Sequence, residues 1–98
     1  MRIAEMLTEG RANARSGKEL AQAIGCNIRE ITQRIAEERR NGAPICATSD
    51  ANNPGYYLAE TPDDLAAYCE RLRRRAGELF KTRRGLLRTL QEIQKAEA

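Results

Sequence analysis

The feature that most constrains this sequence is a tight break at residues 25–27, between two segments that each begin with their own helix-starting residues. Ser16 is a good N-cap, and Glu19 three residues later completes a capping-box pattern. Gly25 ends this first segment, because glycine readily takes the left-handed conformation that closes many helices. Asn27 is the N-cap of the second segment. The sequence therefore predicts a short helix and a longer helix joined by a tight turn.

Apolar residues in the longer helix recur at helical spacing. Ile28, Ile31 and Ile35 share one side of the helix predicted over residues 27–40, and we expect all three to lie in the core. The same kind of spacing predicts another amphipathic helix over residues 2–9. The N-terminal half of the chain is therefore expected to contain three helices.

Downstream of these helices the pattern is that of a β-hairpin. Residues 44–48 and 56–59 are predicted to form two short strands, and residues 49–55, rich in Asn, Asp, Pro and Gly, their loop. A helix, two helices joined by a tight turn and a two-stranded hairpin, in that order, make a winged helix-turn-helix. We therefore expect a mostly α, α+β winged-helix domain over residues 1–60, with three helices and a two-stranded β-hairpin wing.

The C-terminal third is predicted to form a long amphipathic helix. Thr61 followed by Pro62 is a strong helix start, and no later proline interrupts the chain. From residue 65 to residue 93, one helix face recurs in alternating steps of four and three residues, as in a coiled coil. The residues assigned to self-association are Leu65, Leu72, Leu79, Leu86, Leu90 and Ile93. Residues 61–98 are therefore expected to serve oligomerisation or partner binding. The alternative is a helical hairpin with a turn at residues 83–85.

Charge is divided unevenly along the chain. Residues 1–62 carry equal numbers of basic and acidic side chains, whereas residues 71–88 carry eight basic side chains and one acidic one. The net charge of +3 therefore belongs to the predicted C-terminal helix.

Composition excludes several classes of function. The chain has no histidine, which removes the usual proton shuttle and the commonest metal ligand. Cys26, Cys46 and Cys69 form no C-x-x-C pair and cannot supply a four-ligand zinc site. No stretch has the pattern of a signal peptide or of a membrane span. We therefore expect a cytoplasmic protein that is not an enzyme, with reduced cysteines and with no metal, cofactor, small-molecule substrate or membrane contact.

Candidate DNA contacts lie on the outer side of the longer helix, at the start of the shorter one and on the hairpin. Arg29 and Gln33 are one helical turn apart and opposite the isoleucine stripe, and Arg pairs well with guanine and Gln with adenine. Ser16 and Lys18 begin the shorter helix, whose first amides can hold a phosphate. The full set of predicted contacts is Ser16, Lys18, Asn27, Arg29, Gln33, Arg34, Arg40, Asn52, Asn53 and Tyr56.

Short motifs in this region resemble those of a known family. They are S-G-x-x-L-A-x-x-I-G at residues 16–25, I-x-x-x-I at residues 31–35, R-x-x-G at residues 39–42 and G-Y-x-L at residues 55–58. Their order and spacing are similar to those of the winged-helix domain of biotin-operon repressors, over about residues 3–60. The sequence also resembles small winged-helix proteins of phages and prophages of Gram-positive bacteria, which often continue into a charged helix.

The resemblance implies binding of duplex DNA through residues 27–40 and the wing. Two features depart from the family pattern. Glu38 stands where the repressors usually have leucine, and the wing tip has Asn-Asn-Pro-Gly in place of the family's basic residue.

We therefore expect a double-stranded DNA-binding regulator of the phage or prophage type that acts as a homodimer. The alternative is a non-enzymatic interaction scaffold, in which a helix within residues 63–95 binds a partner and the winged helix does not read DNA. The neutral charge of residues 1–62 favours the alternative.

Overall fold

The computed structural model describes residues 1–48, 52 and 54–98, which are mostly helical with a small antiparallel sheet. The elements are α1 (Gly17–Ile24), α2 (Ile28–Arg40), β1 (Ile45–Thr48), β2 (Gly55–Leu58) and α3 (Pro62–Glu97), with two short 3₁₀ helices (Ile3–Met6 and Arg11–Asn13) ahead of α1. This confirms the predicted pair of helices, the two-stranded hairpin and the long C-terminal helix.

The N-terminal segment corrects the helix predicted over residues 2–9. It contains only a four-residue 3₁₀ helix, and Leu7 is already extended, with φ −97° and ψ 153°. The cause is competition from the hairpin. The Leu58 N–H donates to the Thr8 carbonyl (3.0 Å), and the Gly10 N–H donates back to the Leu58 carbonyl (3.0 Å). Residues 8–10 therefore lie along β2, and their backbone groups are not available to a longer helix.

The break between α1 and α2 forms as the sequence predicts. The Glu19 N–H donates to Ser16 Oγ (3.1 Å), and the Glu30 N–H donates to Asn27 Oδ1 (2.8 Å), so both N-caps are occupied. Gly25 closes α1 in the left-handed conformation, with φ 84° and ψ 38°. The two helices therefore begin and end where capping chemistry places them.

The main core lies between the N-terminal segment, α1, α2 and the start of β1. Its fully buried side chains include Ile3, Leu20, Ile31, Ile35 and Ile45. The stripe predicted on α2 is thus confirmed for two of its three isoleucines.

Ile28, the third, is not in the core, because 54% of it is exposed. It is the first residue of α2, ahead of the turns that carry Ile31 and Ile35 into the core. Its side chain lies instead near Gly17, at the start of α1. Periodicity places a residue on a side of a helix, but it does not say whether another element covers that end.

Glu38 fastens the N-terminal segment to α2. Its carboxylate accepts hydrogen bonds from the N–H groups of Ile3 (2.7 Å) and Ala4 (2.9 Å), at the start of the first 3₁₀ helix. These N–H groups have no partner within their own helix, so an anionic acceptor is well matched to them. The acidic residue at this position is therefore a structural contact.

The hairpin is held in register and joined to the segment before α1. Ile45 pairs with Leu58 and Thr48 with Gly55. On its other side β2 pairs with Arg15, because the Tyr56 N–H donates to the Arg15 carbonyl (2.8 Å) and the Arg15 N–H donates to the Tyr56 carbonyl (2.9 Å). The start of α1 is therefore fixed directly beside the hairpin.

A second, smaller core covers the other face of the hairpin. It consists of Cys46 from β1, Tyr57 from β2 and Tyr68 from α3, all buried. The described chain divides into two compact units, Met1–Tyr68 and Cys69–Ala98. The first residues of α3, up to Tyr68, thus belong to the first unit, whereas the sequence predicts a boundary at residue 60.

The second unit consists of α3 from residue 69 onward. The helix continues through Gly77 and Gly85 without a break, so the alternative of a turn at residues 83–85 is wrong. The start of α3 is capped as predicted, because the Asp64 N–H donates to Thr61 Oγ1 (3.2 Å) and the Thr61 N–H donates to Asp64 Oδ2 (3.2 Å).

Candidate nucleic-acid interface

The outer face of α2 presents side chains that can read bases. Arg29, Gln33 and Arg40 are all exposed. At about 100° per residue they lie on the side opposite Ile31 and Ile35, which are buried. The structure therefore brings these three predicted contacts together on one surface.

Arg34 lies on a different flank of α2, and there it contacts the N-terminal segment. Its guanidinium donates a hydrogen bond to the Met1 carbonyl, and the residue is half-buried. The structure therefore separates Arg34 from the surface that carries Arg29 and Gln33.

Two acidic side chains of α2 lie between Gln33 and Arg34 around the helix. Glu30 and Glu37 are exposed, and the helical angle places both away from the hairpin side. Around the helix Glu37 is about 40° from Gln33 and Glu30 about 60°, so acidic side chains border the face that carries the basic and amide side chains.

A shallow groove runs between the start of α1, the start of α2 and the hairpin. We call it the interface groove; its lining residues are Ser16, Gly17, Lys18, Ile28, Ala47, Thr48, Pro54, Gly55 and Tyr56. Three predicted contacts, at positions 16, 18 and 56, line it. Asn27, also predicted, is exposed and directly precedes α2. The groove therefore joins the helix starts to the hairpin in one continuous surface.

Within the groove, Ser16 and Lys18 are used differently. Ser16 Oγ accepts from the Glu19 N–H and lies 3.4 Å from Glu19 Oε1, so capping already uses the hydroxyl. Lys18 is exposed at the start of α1. A phosphate at this helix start would therefore be bound by the lysine and backbone N–H groups rather than by the serine hydroxyl.

Tyr56 is half-buried and forms a wall of the groove. Its ring is near Gly17, and the guanidinium carbon of Arg39 lies 5.8 Å from the ring centre. The residue therefore contributes mainly to packing, and only its exposed edge is available to a ligand.

Arg39 joins α2 to both hairpin and α3 inside the first unit. Its Nε donates to the Ile45 carbonyl (2.8 Å), and its guanidinium carbon is 5.0 Å from the centre of the Tyr68 ring. Its Nη2 is buried and has no hydrogen-bond partner within the described residues. Because the ring of Tyr56 is also nearby, this arginine packs α2 against the hairpin and the start of α3.

The hairpin end of the interface is described only in part. Asn52 is exposed, whereas Asn53 lies outside the residues that the structure describes. At the last residue of β1, next to the loop, Arg11 Nε donates to Thr48 Oγ1 (3.1 Å).

Sequence reasoning missed Ile28 as a surface residue. It lines the groove beside Arg29, where an exposed apolar side chain can contact a thymine methyl group. Because Ile28 belongs to the isoleucine stripe, the sequence pattern predicts that it is buried.

The described part of the chain shows no cluster of three or more His, Cys, Asp or Glu side chains that could hold a metal ion. Among those residues, no helix has the length and apolar character needed to cross a membrane. Comparison of the chain with protein-family models, with curated proteins and with solved structures finds no match. Its function is therefore inferred from its own residues.

Proposed function

We propose that this protein binds double-stranded DNA as a winged helix, with the outer face of α2 in the major groove and the hairpin beside it. The observation that carries the proposal is the exposure of Arg29 and Gln33 on one face of α2, a helix whose first residue, Ile28, lines the interface groove. A helix that projects from a tight turn is suited to the major groove, where its N-terminal residues meet base edges.

The spacing of the two side chains suits base readout. Four residues along a helix rise about 6 Å, which is close to two base-pair steps of roughly 3.4 Å each. Arg29 can pair with guanine and Gln33 with adenine about two steps away. Ile28 adds an apolar surface for a thymine methyl group.

Phosphate contacts in this arrangement are few. Lys18 with the first amides of α1 would hold one phosphate, and Arg40 at the end of α2 another. Because counterion release drives much of the affinity for DNA, a surface with so few cations is expected to bind weakly on its own. Residues 1–68 are therefore expected to recognise the base sequence, with modest affinity for DNA in each copy of the chain.

The biological role that we propose is transcriptional regulation of the phage or prophage type. It is supported by the motif resemblance to winged-helix repressors and by the exposed readout face of α2. The departure at Glu38 does not count against it, because this side chain fastens the N-terminal segment on the far flank of α2.

The test measures fluorescence anisotropy of a labelled mixed-sequence duplex against the full chain across salt concentrations, followed by selection of a preferred site from random duplexes. Arg29→Ala and Gln33→Ala are each expected to weaken the preferred site by about 1–3 kcal/mol per lost base contact. Arg2→Ala, which removes the same charge from the N-terminal segment, is the matched control and should leave the preference unchanged.

Two results would contradict the proposal. One is the lack of duplex binding even at low salt. The other is a double variant of Arg29 and Gln33 that keeps the wild-type sequence preference.

An interaction scaffold remains the second candidate, because α3 carries large exposed apolar side chains within residues 69–98. Failure to bind any duplex at low salt would favour this candidate over DNA binding.

A further inference from the structure

One face of α3 in the second unit is apolar and uncovered. Seven side chains on it are between 37% and 72% exposed: Leu72, Leu79, Phe80, Leu86, Leu87, Leu90 and Ile93. Residues 69–98 are all described and form only this helix, so no other element of the unit covers the face. A soluble helix with such a stripe is expected to bury it against something.

The period of this stripe favours a helix as the covering element. Residues 72, 79, 86 and 93 are all Leu or Ile and recur every seven residues, at the d positions of a heptad. A seven-residue repeat drifts slowly around a straight helix and stays on one side when two helices supercoil around each other. This is the geometry of a two-helix seam. Phe80 and Leu87 follow two of the d positions and widen the seam at its e edge.

The charges on this helix distinguish between a different partner and a second copy. Five of the eight basic residues in 71–88 occupy the b, c and f positions, which point away from a seam: Arg71, Arg74, Lys81, Arg84 and Arg88. The e and g positions of residues 69–98, which select partners by charge, are mostly uncharged. Only Arg73 and Arg75 are charged there, and Arg73 is paired on its own helix with Glu70, through Nε and Oε2 (3.0 Å).

The mostly uncharged e and g positions favour pairing of two identical helices. An acidic partner would be selected by basic e and g positions, and this helix has few of them. Two identical copies would meet along edges made of Phe, Leu, Thr and Gln, with most of the positive charge on the outside. Between residues 69 and 93, the one charged residue in the seam is Arg83, at an a position, and Glu97 occupies the last a position of the helix.

The exposed apolar area is of the order that one partner contributes to a specific interface. The seven exposed side chains together offer on the order of 700 Å² per copy, close to the roughly 800 Å² per partner of a standard interface.

We propose that residues 69–98 pair with the same segment of a second copy of this chain in a two-stranded coiled coil, with Arg83 as the one basic residue in its seam. The proposal does not depend on DNA binding, since it involves a different unit of the chain.

The test is sedimentation equilibrium of the full chain, without DNA, at concentrations up to about 100 µM. The wild type is expected to sediment as two copies. Leu79→Gln with Leu86→Gln should give a monomer, because it removes two d side chains while keeping good helix formers. Lys81→Gln with Arg88→Gln changes two f positions and is the matched control, which should remain dimeric.

Arg83→Leu and added salt provide two independent readouts. Arg83→Leu should lower the dimer dissociation constant about tenfold or more, because a buried charge is replaced by an apolar side chain. Salt should leave the dimer intact or strengthen it, since screening reduces repulsion between the two basic helices.

A wild-type chain that stays monomeric at the highest concentration overturns the proposal, since the apolar stripe would then be expected to bind a different protein. Equal dissociation of the d-position and f-position variants would also overturn it, as would loosening of the dimer by Arg83→Leu. Thermal unfolding of each variant shows whether the first unit is still folded.

Discussion

The carboxylate of Glu38 accepts a hydrogen bond from the backbone N–H of Ile3 at 2.7 Å, across 35 residues of chain. Ile3 is fully buried, so this contact places the N-terminal segment against α2 and completes the main core. Glu38, which stands where the repressors named above usually have leucine, thus holds the start of the chain against α2. We call this contact the clamp.

Replacing this clamp should destabilise the first unit. Glu38→Gln is expected to lower the free energy of unfolding by about 1–3 kcal/mol, because the amide has only one acceptor oxygen and leaves one N–H poorly paired. The measurement is urea unfolding at equilibrium. Glu37→Gln, an exposed neighbour, is the control and should change the free energy by less than about 0.5 kcal/mol. Equal effects of the two variants would show that the clamp contributes little.

Gly55 should tolerate no side chain. Its φ is +134°, and a Cβ atom there would lie 2.3 Å from the Arg15 carbonyl oxygen. Gly55→Ala is therefore expected to destabilise the first unit by about 3 kcal/mol or to prevent its folding. Gly85→Ala is the control, since nothing lies within 4 Å of the added atom, and it should increase helicity by circular dichroism. A Gly55→Ala protein that unfolds at the wild-type temperature would refute this close approach.

The two isoleucines at the ends of a single turn of α2 should respond differently to truncation. Ile31→Ala is expected to cost about 2–5 kcal/mol, because its side chain is fully buried, whereas Ile28→Ala should cost less than about 1 kcal/mol. Thermal unfolding of both variants measures the difference. If Ile28→Ala is as costly as Ile31→Ala, the residue is core and not part of the interface groove.

Arg39 and Arg40 are neighbours in sequence with separate roles. Arg39→Met should lower the free energy of unfolding by about 1–2 kcal/mol, since it removes the hydrogen bond to the Ile45 carbonyl and the contacts with two tyrosine rings. Arg40→Met should leave stability unchanged and reduce the salt dependence of duplex binding by about one phosphate contact. Urea unfolding and anisotropy titrations separate the two effects, and an exchange of the two outcomes would contradict both assignments.

Local chemistry made several elements predictable. The caps at Ser16 and Asn27, the glycine that closes α1 and the start of α3 at Thr61 depend on residues within one turn of each other. Such signals can be read directly from the sequence.

Long-range contacts explain what could not be predicted. The N-terminal helix is shorter than predicted because the backbone of residues 8–10 forms hydrogen bonds with β2, about fifty residues later in the chain. Ile28 is exposed because it is the first residue of α2, ahead of the turns that pack into the core, and Arg34 donates to the Met1 carbonyl. The outer face with Arg29 and Gln33 could be predicted, since it follows from the helix period alone.

The placement of the aromatic residues gives the two units different optical signals. The chain has three tyrosines and no tryptophan, and Tyr56, Tyr57 and Tyr68 all belong to the first unit. Far-ultraviolet circular dichroism, in contrast, is dominated by α3, whose 36 residues exceed those of α1 and α2 together. Tyrosine emission therefore follows unfolding of the first unit, while ellipticity follows the long helix, so one titration can report on both without any added label.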